Sequence, residues 1–175
     1  MATIVLIVIV VMIVAMVVYI RAVSKVDRAE NDFRKESSTI DTFLWDIQHR
    51  LKKSGDILEK YEIDASEIRD GDSLGLGMPT SFQVLKFSQY SEKIKKLEEI
   101  SKRSITDEDD KASIAQYQKE LDQLKIDVIA ESVAHNKSVS FYNNTISKFP
   151  MTIVAHRRHK LPKNLFTYVE RQNQE

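Results

Sequence analysis

The sequence predicts an all-α protein: an N-terminal transmembrane helix followed by an elongated antiparallel helical bundle, with three long helices and a shorter fourth segment. Three observations point there. Residues 2–20, ATIVLIVIVVMIVAMVVYI, carry no charge, no Gly and no Pro. Beyond them, apolar side chains recur at intervals of three and four, the period of a helix face. Only 4 Gly and 3 Pro interrupt 175 residues, of which 30% are charged and 8% aromatic, the balance of helices with solvated outer faces.

The apolar run comes first. At about 1.5 Å of rise per residue a helix of this length spans the hydrocarbon layer of a bilayer. Val and Ile are indifferent helix formers in water, but in lipid a lone segment satisfies its backbone only as a helix. Residues 1–21 are therefore read as a transmembrane anchor, 22–170 as the helical body and 171–175, RQNQE, as a frayed tail. A cleaved signal peptide is the alternative. Against it stand the missing basic n-region, the length of the apolar core and the lack of an Ala-x-Ala site after Ile20. Arg21, Lys25, Arg28, Arg34 and Lys35 follow the run closely. The positive-inside rule then expects the N-terminus outside, with the body in the cytoplasm of a single-pass cell-membrane protein.

The formal net charge is zero, which gives no general attraction to nucleic acid. There is no Cys, so neither disulfides nor thiolate metal sites are expected.

In the body, Val26, Phe33, Ile40, Leu44, Ile47, Leu51, Leu58 and Tyr61 form a coiled-coil-like heptad stripe, with Glu30, Ser37 and Ser54 on the same seam. No Pro interrupts it and Gly55 is its one Gly, so a helix continuous with the anchor is expected, reaching about 50 Å or more beyond it. Trp45 lies beside the stripe. Residues 70–80, DGDSLGLGMPT, read as a loop. A second helix is expected from Phe82 to near Arg103, with Phe87, Tyr90, Ile94 and Leu97 inward. Thr106 followed by Asp109 resembles an N-cap with acids in the first turn. The third helix is expected from about Asp107 to Lys148 on Ile114, Tyr117, Leu121, Leu124 and Val128. Phe149-Pro150 stops it, and a short helix or irregular arm broken at Pro162 follows.

Past Val128 the seam of the third helix turns polar. The same spacing lands on Glu131, His135, Ser138, Tyr142 and Thr145, with Asn136 and Asn143 on the adjacent stripe. His135 and Tyr142 share a face, as do Asn136 and Asn143. Polar groups on an inward face need partners, because an unpaired buried amide costs about 1–3 kcal/mol. Two readings stay open: the Asn pair fixes helix register, or His135, Asn136, Tyr142 and Asn143 form a surface for a protein partner or a second copy of the chain.

Metal chemistry is weakly signalled. Glu131 with His135, and His156 with His159, have one-face spacing, but cations flank the second pair and no third ligand is evident. No metal and no cofactor is expected. No phosphate-binding Gly loop, nucleophile elbow or Ser/His/Asp arrangement is present, so no catalytic residue and no enzyme is expected. Between Glu131 and Glu170 no acidic residue occurs, while Arg157, Arg158, Lys160 and Lys163 cluster in HRRHKLPK. That arm would suit anionic lipid. Alternatively, it pairs with the acidic loop around 64–72.

Two blocks resemble the LemA family of bacterial membrane-anchored helical bundles. Tyr142-Asn143 and Phe149-Pro150 match that family's second Tyr-Asn and its Phe-Pro; Ala134, Asn136, Ile153, Ala155 and Phe166 agree with its pattern. His135 stands where it has Tyr, and Ser132 where it has Arg. In the first helix, Ile40-Asp41, Ile47, 50–53 (RLKK) and 56–58 (DIL) resemble a second block, with Trp45 one place displaced, Ser54 for Arg and Glu59 for Pro. The resemblance implies a single-pass anchor carrying a mainly four-helix body, and it implies no reaction. The combined expectation is a non-enzymatic, membrane-anchored scaffold or adaptor. Its partners would be the bilayer through residues 2–20 and a protein or a second copy, with no nucleic acid. The alternative is an anionic-lipid module using Arg157, Arg158, Lys160 and Lys163.

Overall fold

The computed structural model describes residues 1–69, 75 and 77–168, and of residues 102–104 the backbone alone. Most of the expected loop 70–80 and the expected tail 171–175 lie outside these residues. The described chain is all-helical: α1 Ala2–Glu59, α2 Ser66–Arg69, α3 Thr80–Ser104, α4 Glu108–Ser147 and α5 Met151–Arg157. By backbone contacts it divides into two compact units, Met1–Lys35 with His135–Leu165, and Glu36–Ala134 with the segment from Phe166 on. Both α1 and α4 contribute to each unit.

As the heptad stripe implied, α1 is one unbroken helix of 58 residues. Its N-terminal part is long and apolar enough to cross a membrane, and none of its most apolar stretch is buried within the protein. A core-helix role for that stretch is thereby excluded.

The unit built on Glu36–Ala134 is a helical bundle. Ile40, Leu44, Ile47, Leu51 and Leu58 of α1 join Phe87, Tyr90, Ile94 and Leu97 of α3 and Ile114, Leu121, Leu124 and Val128 of α4 in one buried cluster. These are the seams that the three-four rhythm marked. Each such side chain contributes about 1.5–3 kcal/mol on leaving water. The register of α1 against α4 is antiparallel: Arg50 pairs with Glu120 at 2.6 Å, and ten residues later Lys60 pairs with Asp110 at 3.2 Å. Tyr61 Oη also donates to Asp110, at 2.9 Å. Phe166 closes the cluster against Phe87, with ring centroids 6.1 Å apart.

Helix ends obey local chemistry. At the C-terminus of α1, Glu62 takes φ 57°, and the Ile63 N–H donates back to the Leu58 carbonyl at 3.4 Å. That is a Schellman turn with a residue other than Gly in the left-handed position. Gly55 lets α2 approach: a Cβ there would stand 3.3 Å from Arg69 Cβ. The cap of α4 is Asp107, not Thr106: its Oδ1 accepts from the Asp109 and Asp110 N–H groups at 2.9 and 3.1 Å. A carboxylate offers this bond with a full charge beside the positive helix end.

The other unit packs Ala22, Val26, Ala29 and Phe33 of α1 against Val139, Tyr142 and Ile146 of α4 and Met151, Val154 and Ala155 of α5. Phe33 and Tyr142 meet with ring centroids 4.9 Å apart. At the end of α5, His159 adopts φ 52°. The His159 N–H reaches the His156 carbonyl at 3.2 Å, and the Lys160 N–H the Ala155 carbonyl at 2.9 Å. This second Schellman turn directs the chain back along α1.

Candidate functional site

The polar face of α4 is not one surface. His135 and Tyr142 are buried, at 1% and 0% exposure, so neither can meet an outside partner without unpacking the unit. The expectation of a four-residue partner surface is corrected accordingly; the inward spacing that picked these two residues out places them in the core. Desolvation, and then the negative charge of Glu30, hold the Tyr142 hydroxyl above its ordinary pKa. Asn136 is half-buried. Asn143 is committed within the chain: its Nδ2 donates to the Lys163 carbonyl at 2.9 Å, and its Oδ1 accepts from the Lys163 N–H at 2.8 Å. One amide thus pairs with both backbone groups of Lys163, as a residue of a neighbouring antiparallel strand would.

The basic arm is folded against α1. Arg158 pairs with Asp27 at 2.6 Å, and Lys160 with Glu30. The Lys163 ammonium lies 5.9 Å from the centre of the Phe33 ring, and the Arg157 guanidinium 6.0 Å from that of Tyr19. Arg158 and Lys160 therefore meet acids of α1 rather than those around 64–72, a correction to the pairing the sequence suggested; residues 70–72 lie outside the described part. The His159 turn brings the arm alongside α1 and its acids.

Glu30 is the electrostatic centre of this unit. Its side chain is 9% exposed and accepts from Arg34 Nη2 at 2.7 Å as well as from Lys160. Burial favours the neutral acid, but the hydrogen bonds and charges of Lys160 and Arg34 outweigh it and hold the carboxyl below its usual pKa. The only hint in the sequence was an acid on an apolar seam.

A second buried acid organises the bundle. Asp41, 2% exposed, accepts from Gln83 Nε2 at 2.6 Å through one oxygen. Its other oxygen accepts from the Gly77 N–H at 2.7 Å and the Met78 N–H at 3.4 Å. Gly77 presents its N–H from φ 79°, a conformation that suits glycine. Gln83 also donates to the Ser37 carbonyl at 2.9 Å. Asp41 stood in the resembling block and Ser37 on the seam, but nothing in the sequence marked Gln83 as their partner.

The outward faces hold one feature the sequence reading passed over. Ile126, Ile129 and Val133, on one face of α4 in the bundle unit, are 59%, 47% and 68% exposed. Among the described residues no group of three or more His, Asp or Glu side chains is placed to hold a metal ion. No family model, curated protein or solved structure matches the chain.

Proposed function

We propose that the protein is a non-enzymatic, single-pass membrane scaffold of the LemA type, which presents an apolar face of α4 to a protein partner. The observation that carries this reading is the exposed stripe Ile126, Ile129 and Val133. A helix whose inward seam is already filled has no internal use for a second apolar stripe, and clustered exposed apolar groups are a common mark of a docking face. The stripe takes the place of the buried His135 and Tyr142 as the partner surface.

The anchor belongs to the same reading. The exposed, uncharged N-terminal part of α1 is long and apolar enough to lie across the hydrocarbon layer of a bilayer. Arg21, Lys25 and Arg28 just after it favour a cytoplasmic body. LemA kinship rests on the two motif blocks. Several of their residues have structural roles here: Ile40, Ile47, Leu51 and Tyr142 in the cores, Asp41 at the buried network and Asn143 on the arm.

The test is a photo-crosslinking residue at exposed Ala130, beside the stripe, in the full chain in native membranes. One discrete adduct, lost with Ile129→Ser and Val133→Ser, is expected. Adducts that are unchanged by those substitutions would refute the docking face. The adduct's mass distinguishes a different protein from a second copy.

A further inference from the structure

Where α1 leaves its apolar run, Arg21, Lys25 and Arg28 fall at i, i+4 and i+7, on one side of the helix. All three are exposed, and among the described residues none has an ion-pair partner. Of the acids nearest in sequence, Asp27 is engaged by Arg158 and Glu30 by Arg34 and Lys160, while Asp32, four residues after Arg28, forms no ion pair among the described residues. Together with Ile20, Ser24 and Phe141 of α4, the three cations line an open groove of 390 Å³. Two of its walls are apolar and half-exposed: Ile20 at 52% and Phe141 at 49%.

We infer that this groove binds the headgroup of an anionic phospholipid. The inference rests on the anchor reading above. The guanidinium groups and the Lys25 ammonium face the phosphate, the forked donors of Arg suiting paired oxygens. Ile20 and Phe141 lie against the glycerol esters and the upper acyl chains. A free phosphate would have no use for those apolar walls. Depth supports the lipid too. Ile20 ends the uncharged run, so with that run across the bilayer the groove lies at the level of the lipid phosphates. From Arg21 to Arg28 the helix rises about 10 Å, enough to pass through the headgroup layer of one leaflet. The site is separate from the arm first expected to meet lipid, whose Arg158 and Lys160 are already paired.

The test uses the full chain reconstituted in phosphatidylcholine vesicles, with spin-labelled phosphatidylglycerol or phosphatidylcholine as the reporting lipid. Wild type should hold the anionic lipid at least about fivefold more strongly. R21Q/K25Q/R28Q should bring that preference close to one. Phe141→Ala, which changes no charge, should reduce it at least about twofold by removing an apolar wall. A preference unmoved by the triple substitution overturns the site. So does one that falls with the charges but ignores Phe141→Ala, since diffuse surface charge then accounts for it. Inorganic phosphate at constant ionic strength should not compete; loss of the preference in phosphate would overturn the lipid assignment. Resistance to carbonate extraction is measured on the same vesicles. Insertion without lipid preference refutes the groove alone, whereas failure to insert refutes the anchor and the groove with it.

Discussion

Replacing Glu30 with Gln should loosen the chain after α4 from α1. The carboxylate is 9% exposed on its side chain and receives charge-assisted bonds from Lys160 and Arg34. Such bonds contribute roughly 1.5–3 kcal/mol each when sheltered. Arg34 is 66% exposed and returns to water at little cost, whereas Lys160 is 23% exposed and loses a sheltered partner. The sum comes to about 2–3 kcal/mol, below the roughly 3–5 kcal/mol for breaking a fully buried pair. The readout is amide hydrogen exchange across α5 and the arm, residues 151–163, in detergent-solubilised full chain. At about 1.4 kcal/mol per tenfold, exchange there should accelerate about 30- to 140-fold. The pH dependence has a definite sign. The folded pKa of Glu30 lies below its ordinary value of 4.5. Its contribution is thus complete above that value and is lost as pH falls through the lower, folded pKa. Corrected for intrinsic rates, protection should be level from about pH 7 to about pH 5 and decline only in more acidic solution. Unchanged exchange in Glu30→Gln, or a Glu30-dependent loss of protection already between neutrality and pH 5, would refute the reasoning.

Three further outcomes are expected. Asp41→Ala removes one acceptor of the Gln83 amide, which keeps its bond to Ser37, and leaves the Gly77 and Met78 N–H groups without their side-chain acceptor; it should cost about 2–3 kcal/mol in denaturant unfolding followed by Trp45 fluorescence. Asn143→Ala removes both bonds to the Lys163 backbone and should lower arm protection by about 1–2 kcal/mol, without moving the Trp45 transition. His159→Gly relieves a left-handed residue at φ 52° and should raise protection of the Lys160 amide by up to about 1 kcal/mol.

What was legible in the sequence was periodic. Leu44, Ile47, Leu51, Phe87, Leu97, Leu121 and Val128 occupy the core because a 3.6-residue period leaves few alternatives once the helices are long. The unbroken α1 was readable for the same reason: no Pro and only Gly55 interrupt residues 2–59. The candidate site was less legible. Periodicity placed His135 and Tyr142 inward but could not say that the inward side was filled by Phe33 and its neighbours. Asn143 bonds the N–H and C=O of a residue twenty positions on, and backbone groups leave no side-chain signature. The arm's destination depends on the His159 turn, where the usual signal, a glycine, is missing. The stripe Ile126, Ile129 and Val133 was overlooked because apolar residues beside a seam read as part of it until exposure separates them.

The most direct measurement on the central claim, an anchored body with its N-terminus outside, is cysteine accessibility. The chain has no Cys of its own, so Ala2→Cys and Ala130→Cys are each unique reporters. With a membrane-impermeant maleimide on intact cells, Ala2→Cys should label at once, and Ala130→Cys only after the membrane is opened. Labelling of Ala130→Cys in intact cells, or loss of the N-terminal segment from the mature chain, would contradict the topology or the anchor itself.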